Sequence, residues 1–309
     1  MRKTFIDTLT EMARKDEKIM CVIGDTGFSV FEEFEKEFGP RFVNVGIAEQ
    51  NFVSFGAGLA AMGMKPYIYN VVSFMTLRAT EQIMLDVCYQ ENPVVLIGVG
   101  GGLAYATAGP THHALQDIAI MSAMPNMTVV CPGDPIEMKA VMLASNDYKK
   151  PMYIRIGRSV DPIVHQKPFT FKIGNAIKLS EGNDAVIFVT GVMLKIAVEV
   201  QKELEENDTY VTLFSMPTIK PIDKDAILRS CTSEMPVFTI EEHSVIGGLG
   251  DAVGRVLLEN KCNAMLRKFG VEDMFAPVTG TREYLDNLFG LSSQKIVENI
   301  VEELKKKKK

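Results

Sequence analysis

FVNVGIAEQNFVSFGAGLAAMGMKPYIYNV, residues 42–71, holds a short apolar run at 42–45, a helix-period segment over 48–62 and a second apolar run at 66–71. Apolar runs of this length, without polar alternation, read as strands covered on both faces, and two of them joined through a helix make a parallel pair. The same rhythm continues outward in both directions. Strands are expected at MCVIG (20–24), FVNV (42–45), PYIYNV (66–71), VVLIGV (94–99), MTVVC (127–131) and MYIRI (152–156), and helices over 30–38, 48–62, 74–90, 116–123 and 134–146. Residues 1–157 are therefore expected to form an α/β domain on a parallel sheet.

Gly157, Pro162, His165 and Pro168 break the rhythm and mark 158–172 as a linker. A second alternation follows over 173–309, with strands at 185–191, 210–216 and 235–242 and helices over 193–206, 223–230, 247–260 and 292–305. The expectation is a second, smaller α/β domain.

The 309 residues are 47% hydrophobic and 23% charged, which excludes disordered and collagen-like chains and suffices for a core without staples. The net charge of −6 and a single basic block, the Lys305–Lys309 tail, offer no face for nucleic acid. The tail reads as a solvated end. Five widely spaced cysteines fit neither a disulfide framework nor a zinc site, and read as buried free thiols in a reducing compartment. The start, MRKTFIDTLTEM, lacks the apolar core of a secretory signal, so a cytoplasmic protein is expected. Asn92–Gln116 carries no charge, but its prolines, glycines, His112 and His113 make it a strand and a glycine-rich loop, and no membrane partner is expected.

Three features could carry chemistry. Glu49 is the one charged residue between Arg41 and Lys65, at a strand-to-helix junction. It is either an acidic residue favoured by the helix dipole or a carboxyl with a raised pKa, poised to move a proton. Gly56, Ala57, Gly58, Ala60 and Ala61 follow it, small residues that let the sheet or a ligand approach closely. The loop GVGGGLAYATAGPTHHALQD (98–117) lies past the end of a strand, where open parallel sheets bind ligands, and its His112 and His113 lack metal-ligand spacing. Arg155 and Arg158, in YIRIGRS (153–159), suit an anion clamp or a surface ion pair. No nucleophile elbow, Walker loop or dinucleotide fingerprint occurs.

GDTGFSVFEEFEKEFGPRFVNVGIAEQNFVSFGAGLA (24–60) and GPTHHALQDIAIMSAMPNMTVVCPGDPIE (109–137) resemble the pyrimidine-binding domain of transketolases, and nearly the whole chain resembles the C-terminal half of that family. The family holds the diphosphate of thiamine diphosphate and its Mg2+ through a GDG-to-Asn motif in a preceding domain. GDT (24–26) is the only near match here. The resemblance thus implies a split enzyme, in which an N-terminal transketolase-like subunit supplies the diphosphate and Mg2+ site and the two chains form a heterotetramer.

By the same resemblance Glu49 donates a hydrogen bond to the cofactor's aminopyrimidine, favouring the imino tautomer that removes the thiazolium proton. In VVSFMTLRATEQ (71–82), Val72, Met75 and Arg78 take positions that are aromatic or arginine in relatives, with Phe74 reaching the ring if the register shifts. Asp25 matches an aspartate near the thiazolium. The cofactor set is then Asp25, Glu49, Phe74, Met75 and Arg78. His112 and His113 of the loop and Arg158 form the substrate set, with Glu49 and His112 catalytic. Two departures stand out: Ala108 and Gly100 occupy the places of a family aspartate and histidine that bind donor hydroxyls. The implied activity is transfer of a two-carbon ketol unit from a ketose-type donor to an aldehyde. Acyl transfer from pyruvate, as in deoxyxylulose phosphate synthases, and a non-catalytic assembly role are the alternatives.

Overall fold

The computed structural model describes residues 1–158, 161–231 and 235–307, so parts of the expected linker and lysine tail lie outside the described residues. Six parallel strands form most of the first sheet: β1 (Ile19–Ile23), β2 (Phe42–Asn44), β3 (Lys65–Val71), β4 (Val95–Val99), β5 (Thr128–Val130) and β6 (Met152–Ile156). Their order is β5-β6-β4-β3-β1-β2, so the chain steps outward from β1 to β2 and returns to β3 on the other side. Such a reversal opens a crevice at the carboxyl ends of the strands.

Alternate side chains feed two core layers. Ile68, Leu96, Val129 and Tyr153 pack on one face with Phe52 and Val53 of the Glu49–Ala61 helix. Tyr67, Tyr69, Ile97 and Ile154 pack on the other with Phe5 and Leu9 of the Arg2–Ala13 helix. Gly56 answers a spatial demand, since a Cβ there would lie 2.3 Å from Ile68 Cδ1, whereas Gly58 faces open space.

The second sheet comprises β7 (Ile177–Ser180), β8 (Ala185–Val189), β9 (Val211–Ser215), β11 (Pro236–Ser244) and β12 (Met265–Val271), in the order β12-β11-β8-β9-β7. The remaining strand, β10 (Thr218–Lys220), leaves this half of the chain and pairs antiparallel with β5 as the seventh strand of the first sheet. β7, β10 and β12 were not expected from the sequence. All three are sheet-edge strands, β7 and β12 partly exposed, and their sequences IKLS, TIK and MLRKFGV mix charges into the apolar run. The single helix expected over 74–90 is instead Val72–Arg78, a short turn at Thr80–Gln82 and a π-helical segment Ile83–Tyr89.

The described part of the linker is strapped down. Asp134 accepts bonds from the backbone N–H groups of Val164 (2.9 Å) and His165 (3.0 Å), and Glu137 Oε1 lies 2.7 Å from His165 Nε2 and 2.6 Å from Ser215 Oγ of β9. All five cysteines are free, four of them buried.

Candidate active site

Every residue of the expected cofactor and substrate sets except Met75 and His113 lies past the carboxyl end of a first-sheet strand and borders the crevice. Asp25 follows β1 with φ +54°, an uncommon conformation for a residue with a side chain. Asn44, the last residue of β2, holds it: Asn44 Oδ1 accepts from the N–H groups of Asp25 and Gly46, both at 3.0 Å, and Asn44 Nδ2 donates to Asp25 Oδ1 at 3.3 Å.

Glu49 opens the helix after β2 and is 8% exposed. Its carboxylate does not cap that helix. Oε1 instead accepts a 2.7 Å bond from Arg78 Nη1, which comes from the helix after β3. A cleft of about 480 Å³ opens beside this pair, lined by Ile47, Ala48, Glu49, Gln50, Asn51 and Arg78. In the pair Glu49 Oε1 accepts from Arg78, which leaves Oε2 as the oxygen open to a further hydrogen bond.

From Arg78 a line of side chains runs across the strand ends. Its guanidinium lies 4.1 Å from the centre of the Phe74 ring. Phe74 meets the edge of His112 at 5.0 Å, and His112 lies 5.5 Å from Tyr105. Tyr105 in turn carries the guanidinium of Arg158 at 4.6 Å. Aromatic faces attract cations in this way, by up to about 1 kcal/mol each at exposed sites. His112 Nδ1 lies 2.9 Å from Thr111 Oγ1, a hydrogen bond that leaves Nε2 free for a ligand. Tyr105, which the sequence placed in the open loop with no set role, joins the line as the ring between His112 and Arg158. Its signal was Gly100, which can be nothing larger beside that ring.

Two expected site residues lie elsewhere. Met75 is fully buried in the core with Val72, because the helix starts at Val72 and its phase turns Phe74 and Arg78, not Met75, toward the crevice. His113 points inward, its Nε2 3.3 Å from the Ala106 carbonyl, and burial lowers its pKa below the ordinary value. Arg155, expected as an anion clamp, is also interior: Nε bonds Asp117 Oδ2 at 2.8 Å, and Nη2 bonds the carbonyls of Ala114 and Glu242, both at 2.9 Å. It fastens the loop rather than a ligand. Glu242, paired with Arg282 at 2.8 Å, fills the space beneath Gly102 of the same loop.

Among the described residues no group of three or more His, Cys, Asp or Glu side chains could hold a metal ion. No helix among them is long and apolar enough to cross a membrane.

A carboxylate, two arginines and an imidazole thus line up on aromatic rings at the carboxyl edge of a parallel sheet covered on both faces. The family description "Transketolase, pyrimidine binding domain" matches residues 1–161, and "Transketolase, C-terminal domain" matches residues 174–296. The chain belongs to the transketolase family. It is 36% identical over 307 residues to an apulose-4-phosphate transketolase subunit from Phocaeicola vulgatus, covering 99% of this chain and 97% of that one. It is 35% identical over 298 residues to the 6-deoxy-6-sulfo-D-fructose transketolase subunit SqwH from Clostridium sp., covering 96% and 92%. Its fold superposes with a TM-score of 0.90 and 34% identity on a solved structure described as a split gene transketolase, inactive beta4 tetramer, covering 98% of each chain.

Proposed function

We propose that this chain is the C-terminal subunit of a two-chain, thiamine-diphosphate-dependent transketolase that moves a two-carbon ketol unit from a ketose-type donor to an aldehyde. The observation that carries this reading is the unbroken line from Glu49 through Arg78, Phe74, His112 and Tyr105 to Arg158. One end suits an aminopyrimidine: Phe74 and Arg78 offer flat surfaces, Glu49 a carboxyl at their edge, and the cleft room for a ring. The other end suits a sugar with an anionic tail.

Thiamine diphosphate, when bound, supplies a nucleophilic carbon and an electron sink. Glu49 bonds the pyrimidine through Oε2 while Arg78 holds Oε1. His112 exchanges protons with a donor hydroxyl through Nε2, its ring fixed by Thr111 and by Phe74. Arg158 binds the anionic tail, and Asp25 stands at the crevice between the ends of β1 and β2. The Mg2+ and diphosphate ligands belong to an N-terminal partner subunit in this reading. That partner would cover the exposed Ile47 and Leu77 beside Glu49 and Arg78, and Met84, Leu85 and Tyr89 suit contact with a second copy in a heterotetramer.

The chain alone should bind thiamine diphosphate at least a hundredfold more weakly than the reconstituted pair in calorimetry. In the pair, Glu49→Gln should slow exchange of the thiazolium proton in deuterated buffer by about two orders of magnitude, the usual scale for an acid–base residue. Full activity of the lone chain, or unaltered exchange in the variant, overturns the reading.

A further inference from the structure

The departure at Gly100 is explained by Tyr105. Gly100 follows β4 with φ +82°, and a Cβ built on it would lie 2.0 Å from Tyr105 Cε2 and 2.5 Å from Cδ2. The tyrosine ring thus fills the volume that any side chain at position 100 would occupy. Beneath, the ring packs against the core layer that contains Tyr69 and Ile97, and its burial raises the phenol pKa, so the hydroxyl stays neutral. Above, it touches two of the three members of the expected substrate set, Arg158 at 4.6 Å and His112 at 5.5 Å with the two rings inclined by 51°.

Arg158 is exposed and, among the described residues, has no carboxylate partner. A free arginine side chain surrenders about 2 kcal/mol of rotamer entropy when it is fixed, and a ring platform removes part of that loss before a ligand arrives. A guanidinium laid flat on a ring also keeps its N–H edge outward, which is the edge that grips a tetrahedral oxyanion.

We propose that Tyr105 determines donor specificity: it closes the pocket on the Gly100 side and fixes Arg158 and His112 at one spacing, so that the site selects ketoses with a terminal tetrahedral oxyanion, phosphate or sulfonate. Tyr105 acts as a positioning residue through its two neighbours. The inference rests on the proposed function, in which Arg158 and His112 hold the donor.

The test uses the reconstituted two-chain enzyme with three donors: xylulose 5-phosphate, 6-deoxy-6-sulfofructose and the uncharged ketose erythrulose. Tyr105→Leu keeps bulk against Gly100 but removes the π face. It should raise KM for the better charged donor about fivefold, in line with loss of an exposed cation–π contact, with kcat within about twofold. The ratio of charged-donor to erythrulose kcat/KM should fall by the same factor, and Tyr105→Phe should restore it. Whichever of the phosphate and sulfonate donors is turned over in the wild type identifies the source of the oxyanion. Equal losses for charged and uncharged donors, or failure of phenylalanine to restore the ratio, overturns the proposal. Arg158→Met separates the two levels: if it leaves the ratio intact, the reading of the site itself fails. If it collapses the ratio while Tyr105→Leu does not, only the role of Tyr105 fails.

Discussion

Two arginine–carboxylate pairs of nearly equal length lie in the first sheet's half of the molecule. Arg155 meets Asp117 at 2.8 Å and Arg78 meets Glu49 at 2.7 Å. Arg155 is 4% exposed and gives Nη2 to two carbonyls, while the Tyr153 hydroxyl donates to the same Asp117 oxygen at 2.7 Å. Arg78 is 51% exposed, and beyond Glu49 it has only the face of Phe74. Length therefore says nothing about role. A guanidinium buried with its partners inside the protein is a fastener, and one that stands half in water can let go.

The largest effect that would break this contrast is in the buried pair. Arg155→Met strands Asp117 without a counter-charge and should cost about 3–5 kcal/mol in urea denaturation, with Arg155→Met/Asp117→Leu recovering most of it. A cost below 1 kcal/mol, as for an exposed pair, would erase the distinction.

Arg78→Met should change stability by less than about 1 kcal/mol, because water already solvates half of that side chain. Thermal unfolding of the chain measures this directly. A loss comparable to that of Arg155→Met would make Arg78 a second fastener and remove its freedom to leave Glu49.

The contrast was half legible in the sequence. Glu49 stood out as a lone charge in an apolar stretch, and the glycine-rich loop past β4 located His112. Arg155 and Arg158 could not be ranked without strand parity: Arg155 lies within β6 inside the sheet, whereas Arg158 lies beyond the strand's end. Phe74 and Met75 differ by one residue, and which of them faces the crevice depends on a helix that begins directly at the end of β3, two residues before the expected start. Neighbouring His112 and His113 diverge for a similar reason, since the turn at Gly109, with φ +76°, sends one outward and the other under the loop. Edge strands were missed because the apolar runs used to find strands report burial on both faces.

The smallest expected effect concerns the strap. Burial alone would lower the His165 pKa, but the hydrogen bond and charge of Glu137 outweigh it and hold it above the ordinary value. A histidine raised in the folded state stabilises fully below its unfolded pKa of about 6.5, and that contribution fades as pH rises through the folded value. His165→Gln should therefore cost about 0.5–1 kcal/mol at pH 6 and progressively less toward pH 9. A deficit that grows with pH would show that Glu137 does not hold a charged imidazole, and that the strap is tied by its backbone bonds to Asp134 alone.

The strand that β10 adds to β5 has a consequence in time. Val130 pairs with Thr218, a partner 88 positions further along the chain. At synthesis rates of roughly 5–20 residues per second, β5 waits on the order of 4–18 s after leaving the ribosome before its edge can be covered. Every residue of β5 is buried in the finished fold, so through that interval the nascent chain presents a bare apolar edge, the feature by which unfinished sheets join the wrong partner. The first sheet of this protein is therefore not complete when the last residue of its sixth strand is made, and a chain interrupted before residue 218 would leave the β5 edge uncovered.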